Sequence, residues 1–275
     1  MLALYVNDDK IPTILPMIDT HAHVAFLQFD EDRDEVIARA RMRGVRWVEI
    51  GTDLPQSKRA LKIAGDYRDD CLGATVGVHP SDVGNLSEDG WGQLEQLLDD
   101  ERVIAVGEIG LDFSRGGKPE EQLPVLDRFI QLALQRQLPV VFHVRSGENL
   151  DAHQELITYL SGLDKIPRGV IHTFSGTCEQ AGSYAELGLY LSFSGVVTFK
   201  NAGETAEAAK DAPLAQMLIE TDCPYLAPAP YRGKRNEPVY VQYVAEKIAE
   251  LRRVTVEDIV ATTAGNALEL FGLQK

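Results

Sequence analysis

Short apolar runs alternate with stretches of mixed polarity along almost the whole chain. Runs of this kind, bounded by polar and turn-forming residues, predict β-strands. Eight of them occur, at Met17–Asp19, Val45–Ile50, Leu72–Val78, Val103–Gly107, Val140–His143, Gly169–His172, Leu189–Phe193 and Gln216–Glu220. Because these runs are mostly apolar rather than alternating with polar residues, both faces of each strand are expected to be covered, as in a parallel sheet.

The stretches between the strands repeat apolar residues at the spacing of an α-helix. They predict helices near Glu31–Arg43, Gln56–Tyr67, Leu86–Asp99, Glu120–Gln137, Glu148–Ser161, Cys178–Leu187, Glu204–Ala209 and Glu237–Glu250. The tail, Thr255–Leu273, predicts two short closing helices. Eight alternating units fit a closed barrel better than an open sheet. The predicted fold is therefore α/β, a single (β/α)8 TIM barrel over residues 17–275, preceded by an N-terminal extension over residues 1–16.

Length and composition agree with one globular domain. The chain has 275 residues, and single barrels of this kind commonly run to about 250 residues. No apolar run approaches the roughly 20 residues of a transmembrane helix. The first 16 residues lack the basic-then-apolar layout of an export signal. We therefore expect a cytoplasmic protein that makes no use of a membrane.

Charge and cysteine content narrow the classes of function. A net charge of −15 argues against a protein that coats nucleic acid by bulk attraction, although bound divalent cations can reverse the field at one site. The three cysteines, Cys71, Cys178 and Cys223, show no C-x-x-C spacing and predict neither a disulfide framework nor a cysteine zinc site. Each is expected to be a small buried apolar residue.

Residues that bind metals well lie at the ends of the predicted strands. His21 and His23 follow the first strand as H-x-H, and residues two apart on an extended segment point to the same face. At or just beyond the ends of the fourth, fifth, sixth and eighth strands stand Glu108, His143, His172 and Asp222. A single such residue is more often a cap, a surface charge or a structural hydrogen-bonding group. Six together at the end where such barrels place their active sites favour a metal centre.

The size of this set indicates two metals. Four imidazoles and two carboxylates exceed the three protein ligands of a typical catalytic zinc. They suffice for two cations about 3.5–4 Å apart, bridged by one carboxylate. Nitrogen and oxygen ligands suit several metals, so the predicted cofactors are two divalent ions, Mg²⁺, Mn²⁺ or Zn²⁺.

Eight segments in a fixed order carry a family resemblance. They are MIDTHAH (17–23), GVHP (77–80), GEIGLD (107–112), FHVR (142–145), HTFSG (172–176), SFSGVVTFK (192–200), ETDCPYLAP (220–228) and RGKRNEP (232–238). Together they span residues 17 to 238, and this ordered set resembles the TatD family of metal-dependent deoxyribonucleases within the amidohydrolase-like barrels. The resemblance implies a metal-dependent hydrolase that acts on ester bonds.

The resemblance also implies a distribution of the ligands. The ligand set it implies is His21, His23 and Asp222 on the first metal, Glu108 on both, and His143 and His172 on the second. Asp222 and Glu108 are then the catalytic carboxylates, and Asp222 takes a proton from the attacking water as general base.

Three positions depart from the usual pattern of the family. Thr173 stands where cysteine is frequent, Cys223 stands where serine is more usual, and the stretch ending at Phe113 usually continues with tyrosines. None of these is an implied ligand, so metal binding is still expected. They lie near the predicted pocket and therefore bear on the choice of substrate.

Donors for phosphate oxygens are predicted at the same end of the barrel. Arg145 lies two residues beyond the histidine of the fifth strand and faces the same way if that strand continues. Lys200, Arg232, Lys234 and Arg235 lie on loops at this end, where an ordinary solvated basic loop is the alternative for the last three. His79 is expected either to orient substrate or protonate a leaving group, or to make a structural hydrogen bond.

The activity that the resemblance implies is 3′–5′ exonuclease-like trimming of single-stranded DNA ends, in DNA repair or degradation. Tyr225, Tyr231, Phe113 and Phe174 could stack on unpaired bases, with core packing as the alternative. Two other functions stay open. A two-metal hydrolase of a non-nucleic-acid amide or ester would turn over with metal but leave DNA intact. A non-catalytic metal-bound scaffold would require a missing ligand or a blocked pocket.

Overall fold

All eight predicted strands form in the structure, a computed structural model that describes residues 17–273. They are β1 (Met17–Ala22), β2 (Val45–Glu49), β3 (Cys71–Val76), β4 (Val103–Asp112), β5 (Val140–Arg145), β6 (Gly169–Ile171), β7 (Tyr190–Phe193) and β8 (Met217–Ile219). Neighbours in the chain pair in parallel, in the order β1 to β8. The main-chain N–H of Asp222 donates to His21 O at 2.9 Å, so the segment after β8 joins β1 and the ring closes. The predicted extension 1–16 lies outside the described residues.

Nine helices occur in the part of the chain that the structure describes. They are α1 (Arg33–Met42), α2 (Leu54–Asp66), α3 (Glu88–Leu97), α4 (Pro119–Arg136), α5 (Ala152–Ser161), α6 (Cys178–Glu186), α7 (Gly203–Asp211), α8 (Val241–Arg252) and α9 (Val256–Leu270). Capping side chains decide where some begin: Ser87 and Asp151 accept main-chain N–H groups at the starts of α3 and α5, which therefore begin later than predicted. Among the described helices, none has the length and apolar character that crossing a bilayer requires.

The prediction of two short closing helices was wrong, because residues 256–270 form the single helix α9. Thr255 and Asp258 form a capping box at its start. Further along, the side-chain amide of Asn266 donates to the carbonyl oxygens of Leu214 and Met217, at 2.9 and 2.8 Å. The middle of the helix is thereby attached to the start of β8, and one continuous face packs against the barrel.

Apolar side chains form two layers around the strands. The larger cluster lies between the strands and the surrounding helices, and the smaller one lies inside the barrel. Successive strand residues face opposite sides, so Ile171 belongs to the outer layer and Val170 to the inner one. Leu268 and Phe271 complete the inner layer. Apolar side chains therefore fill the interior at the amino-terminal end of the strands.

The cysteines are only partly as expected. Cys71 and Cys223 are buried, but Cys178 is exposed, so the expectation of burial was wrong for Cys178. It is the first residue of α6, directly after the capping residue Thr177, where the side chain meets solvent. All three cysteines are free, in agreement with the absence of paired spacing.

Candidate active site

The carboxyl ends of the strands bring the six predicted ligands into one cluster. On one side, which we call the His21 subsite, lie His21, His23 and Asp222. The Nε2 atoms of His21 and His23 are 3.2 Å apart, and Asp222 Oδ1 lies 3.7 and 3.4 Å from them. Three donor atoms this close together, all from nitrogen and carboxylate groups, form a set that suits a divalent cation.

The second side of the cluster, the His172 subsite, consists of His143 and His172. Their facing atoms, Nδ1 of His143 and Nε2 of His172, are 3.1 Å apart. Glu108 lies between the two subsites. Its Oε1 is 2.7 Å from His143 Nδ1 and 2.9 Å from His172 Nε2, while its Oε2 is 3.4 Å from His21 Nε2. One carboxylate thus presents one oxygen to each subsite.

A close approach of β4 and β5 makes this geometry possible. A Cβ atom at Gly110 would lie 1.9 Å from the carbonyl oxygen of His143, so any residue other than glycine would clash there. Gly110 is paired with His143 in the sheet register. The absence of a side chain at Gly110 therefore lets Glu108 and His143, on adjacent strands, face the same point.

Three residues of the cleft adopt a left-handed backbone that side chains rarely permit: Thr173 with φ 41°, Asp222 with φ 57° and Leu226 with φ 54°. Buried carboxylates hold the main chain at or next to the first two. Glu220 accepts hydrogen bonds from the main-chain N–H and the hydroxyl of Thr173, at 2.6 and 2.7 Å. Asp19 accepts the N–H of Thr221, directly before Asp222, at 2.8 Å. Glu220 Oε1 also lies 3.4 Å from His172 Nδ1, on the side of the ring away from Glu108.

His79 and Asp112 flank the His172 subsite. The main-chain N–H of Ser81 donates to His79 Nδ1 at 3.1 Å, so that nitrogen is an acceptor and Nε2 carries the proton of the neutral ring. Burial, together with the nearby His143 and His172, lowers the pKa of His79 to about 4. Its Nε2 lies 3.3 Å from His143 Nδ1. Asp112 Oδ2 lies 3.3 Å from His143 Nε2, the nitrogen that faces away from Glu108.

The charges of the cluster are strongly coupled. Burial opposes ionisation of Glu108, but the charge of His172 and hydrogen bonds from the histidines around it hold its pKa well below the usual range. Burial likewise opposes protonation of His172, yet Glu108 and Glu220 raise its pKa well above 6.5. Burial and the charge of His172 lower the pKa of His21. Glu108 is therefore kept ionised by the positive charge near it. A divalent cation would supply positive charge at the same place.

The cluster opens into a cleft of about 540 Å³. Of the predicted substrate-binding residues, His79 and Arg145 line this cleft, and Arg145 does so because β5 continues to it as the prediction required. Lys200, Arg232 and Lys234 are exposed and do not line it. The guanidinium of Arg232 lies 4.0 Å from the centre of the Phe199 ring, and the ammonium of Lys234 lies 5.8 Å from that of Tyr231.

The strand-end pattern does not single out four residues that the structure places at the site, Phe26, Arg115, Glu220 and Asp112. Phe26 and Arg115 line the cleft from loops, where no periodic signal exists. Glu220 could have been found, since it ends the predicted eighth strand and is buried among polar groups. Asp112 likewise ends β4.

Comparison with known proteins agrees with the fold and with the family resemblance of the sequence. The family model described as TatD related DNase matches residues 18–272. The metal-dependent hydrolase YabD of Bacillus subtilis (strain 168) is 42% identical over 93% of this chain and 98% of its own length. The 3′-5′ ssDNA/RNA exonuclease TatD of Cronobacter sakazakii is 37% identical over 93% of this chain and 97% of its own.

A solved structure shows the same architecture. The crystal structure of YjjV, a TatD homologue from Escherichia coli K12, has a TM-score of 0.86 at 32% sequence identity, and covers 95% of this chain and 100% of that one. The match to the family model covers nearly all of the described barrel, including every residue of the His21 and His172 subsites. The chain belongs to the TatD related DNase family and is a metal-dependent hydrolase.

Proposed function

We propose that this protein is a two-metal exonuclease that trims single-stranded DNA from the 3′ end, in the cytoplasm, during repair or degradation of DNA. The observation that carries the proposal is Glu108, whose two oxygens face different subsites at 2.7–3.4 Å from imidazole nitrogens. A bridging carboxylate of this kind is what a pair of cations needs. Relatives named as 3′-5′ ssDNA/RNA exonucleases support the choice of substrate.

The donor atoms fit the proposed metals. His21, His23 and Asp222 would hold one cation, His143 and His172 the other, and Glu108 both. When bound, the two cations offset negative charge on the scissile phosphate and lower the pKa of the attacking water. They also explain how a chain of net charge −15 accepts a polyanion, because they concentrate positive charge at the one place where phosphate must bind.

The chain's own residues supply the proton transfers. The side chain of Asp222 is 14% exposed, so its free oxygen can reach a water in the cleft and accept a proton as general base. His79 presents the N–H of a neutral imidazole toward the cluster, and this group can donate a hydrogen bond to the leaving oxygen as negative charge develops there, while the proton that completes the leaving group comes from water. Asp112 and Glu220 orient His143 and His172 from behind.

Cationic side chains would hold the rest of the substrate. Arg145 lines the cleft and is exposed, which suits a contact with a non-bridging phosphate oxygen. Lys200, Arg232 and Lys234 would contact the DNA only outside the cleft. We therefore assign them weaker contacts with phosphates further along the DNA from the scissile one. Their contribution should therefore depend on substrate length and on salt.

The test is shortening of a 5′-labelled single-stranded oligonucleotide by metal-stripped protein supplied with Mg²⁺, Mn²⁺ or Zn²⁺. A second substrate with a blocked 3′ end reports the direction of cutting. We expect a ladder of products from the first substrate only. Asp222→Asn should lower the rate by about 10²–10⁴-fold, since it removes the general base. Glu108→Gln should also lower the number of bound metals.

Asp82→Asn is the matched control, because Asp82 lines the same cleft but belongs to neither subsite. Its rate should stay within a few-fold of the parent. No shortening with any ion, by protein that binds metal, would contradict the assignment to DNA and favour an amide or ester substrate.

A further inference from the structure

The cleft has one aromatic wall beside the His21 subsite. Phe26 and Tyr225 both line it, with ring centroids 6.4 Å apart and planes inclined by 73°. Phe26 stacks on the imidazole of His23, at 4.4 Å and 18°. The aromatic surface thus runs without a break from a predicted ligand to the mouth of the cleft.

Tyr225 differs from the other aromatic residues that the sequence offers for stacking. Phe113 and Phe174 are 5% and 1% exposed and belong to the core. Tyr231 stacks on Tyr240 at 4.2 Å with nearly parallel planes, and neither of these two lines the cleft. Tyr225 is 50% exposed. A large aromatic side chain left half exposed in a cleft is not explained by packing.

The main chain of Tyr225 is held firmly although its ring is exposed. Its N–H donates to Asp222 O at 2.9 Å, and the side-chain amide of the fully buried Asn236 donates to its carbonyl oxygen at 2.7 Å. The ring therefore starts from a fixed point one turn away from Asp222. A flat group stacked on it would be positioned relative to the reacting phosphate.

The cleft also has a cationic part. Arg145 follows His143 on β5 and Arg115 follows the end of β4, so both belong to the side of the His172 subsite, whereas Phe26, Tyr225 and Leu226 belong to the side of the His21 subsite. A nucleotide has the same two halves, an anionic backbone and a flat, largely apolar base. The cleft offers an aromatic surface beside one subsite and cationic side chains beside the other.

We propose that the base of a nucleotide adjoining the scissile phosphate stacks on Tyr225, and that this contact selects unpaired ends. A base can turn onto the ring only when it is not paired in a duplex. The inference rests on the proposed exonuclease function and adds to it a residue that determines substrate specificity.

The experiment uses three 5′-labelled single-stranded oligonucleotides. The complete substrate carries all its bases. Each of the other two lacks one base, either on the 5′ side or on the 3′ side of the last phosphodiester. Tyr225→Ala should lower kcat/KM on the complete substrate by about 5- to 100-fold, the range for loss of one base–aromatic stack. Tyr225→Phe keeps the ring and should behave like the parent. Tyr159→Ala is the matched control, a tyrosine of α5 that does not line the cleft and whose hydroxyl donates to Asp127, and it should leave kcat/KM unchanged.

The base-free substrates give the decisive result. The parent should cut one of these two substrates more slowly than the complete substrate, by about the factor that Tyr225→Ala loses on the complete substrate. Tyr225→Ala and the parent should then cut that substrate equally fast, because the substitution and the missing base remove the same contact. An equal loss for Tyr225→Ala on all three substrates would overturn the stacking contact. If the parent still cuts the complete substrate, that result overturns the stacking contact but not the exonuclease function. If the parent cuts no DNA at all, both the stacking contact and the exonuclease function are overturned.

Discussion

The two ends of the barrel are built from opposite kinds of residue. At the amino end, the interior is filled by Ile18, Val170 and Leu218 together with Leu268 and Phe271, which follow or belong to α9. At the carboxyl end, the same strands lead to buried ionisable groups. His21, Glu108 and His172 are at most 5% exposed.

This difference separates stability from chemistry. Burial of apolar surface at the amino end stabilises the fold under all conditions, since it involves no charge. Burial of carboxylates and imidazoles at the carboxyl end is costly unless they pair with each other or with a cation. We therefore expect substitutions at the amino end to change the free energy of unfolding and those at the carboxyl end to change metal binding and rate.

The largest expected effect on stability is at the amino end. Leu268→Ala should lower the free energy of unfolding by about 2–5 kcal/mol, because it leaves a cavity in the inner apolar cluster. Leu27→Ala is the matched control, since Leu27 is 65% exposed and its loss should change the free energy by less than about 0.5 kcal/mol. Urea unfolding measures both. A lower number of bound metals in folded Leu268→Ala protein would contradict the separation of the two ends.

A smaller effect is expected behind the His172 subsite. Glu220→Gln should weaken metal binding by about 10- to 100-fold, because the neutral amide orients His172 less firmly and no longer favours its ligating form. Glu204→Gln, at an exposed position of α7, is the control. Competition with a chelator measures the affinity. An unchanged metal affinity in Glu220→Gln would contradict this role for His172. It would show that Glu220 only holds the main chain of Thr173 in place.

The smallest effect concerns a buried histidine that belongs to neither end. His153 lies in α5 against the hydroxyl of Tyr184, and burial lowers its pKa to about 4. Between pH 6.5 and 4 the unfolded chain binds this proton and the folded chain does not, so stability falls as the pH falls through this range. The slope from one group is at most about 1.4 kcal/mol per pH unit.

His153→Gln should remove that part of the slope. Urea midpoints of metal-stripped parent and variant between pH 7 and pH 5 measure the difference, and without metal the ligands contribute equally to both. If the urea midpoints of the parent and of His153→Gln fall in parallel as the pH falls, His153 does not contribute. The loss of stability in acid would then arise from the ionisable groups at the carboxyl end.

Much of the barrel could be predicted from the sequence because the signals are local. The strands follow from short apolar runs, and all eight form. The six predicted ligands converge because the ends of parallel strands meet at one edge. Helix starts were predicted less well, since a single cap such as Asp151 decides them. The tail was predicted wrongly because the contacts that keep α9 continuous, such as those of Asn266, come from elsewhere in the chain.

The identity of the barrel strands and of the side chains able to bind metal follows from the sequence alone, because both depend on residue type and on spacing along one strand. Which loop residues reach the cleft depends on contacts between distant parts of the chain. Arg235 forms an ion pair with Asp32 at 2.6 Å across 203 positions, and this contact holds the loop that carries Arg232 and Lys234 against the start of α1. The position of Glu108 between the two subsites depends on the tertiary structure as well, since its two oxygens meet His21 of β1 and His172 after β6, which only the closed barrel brings to the same point.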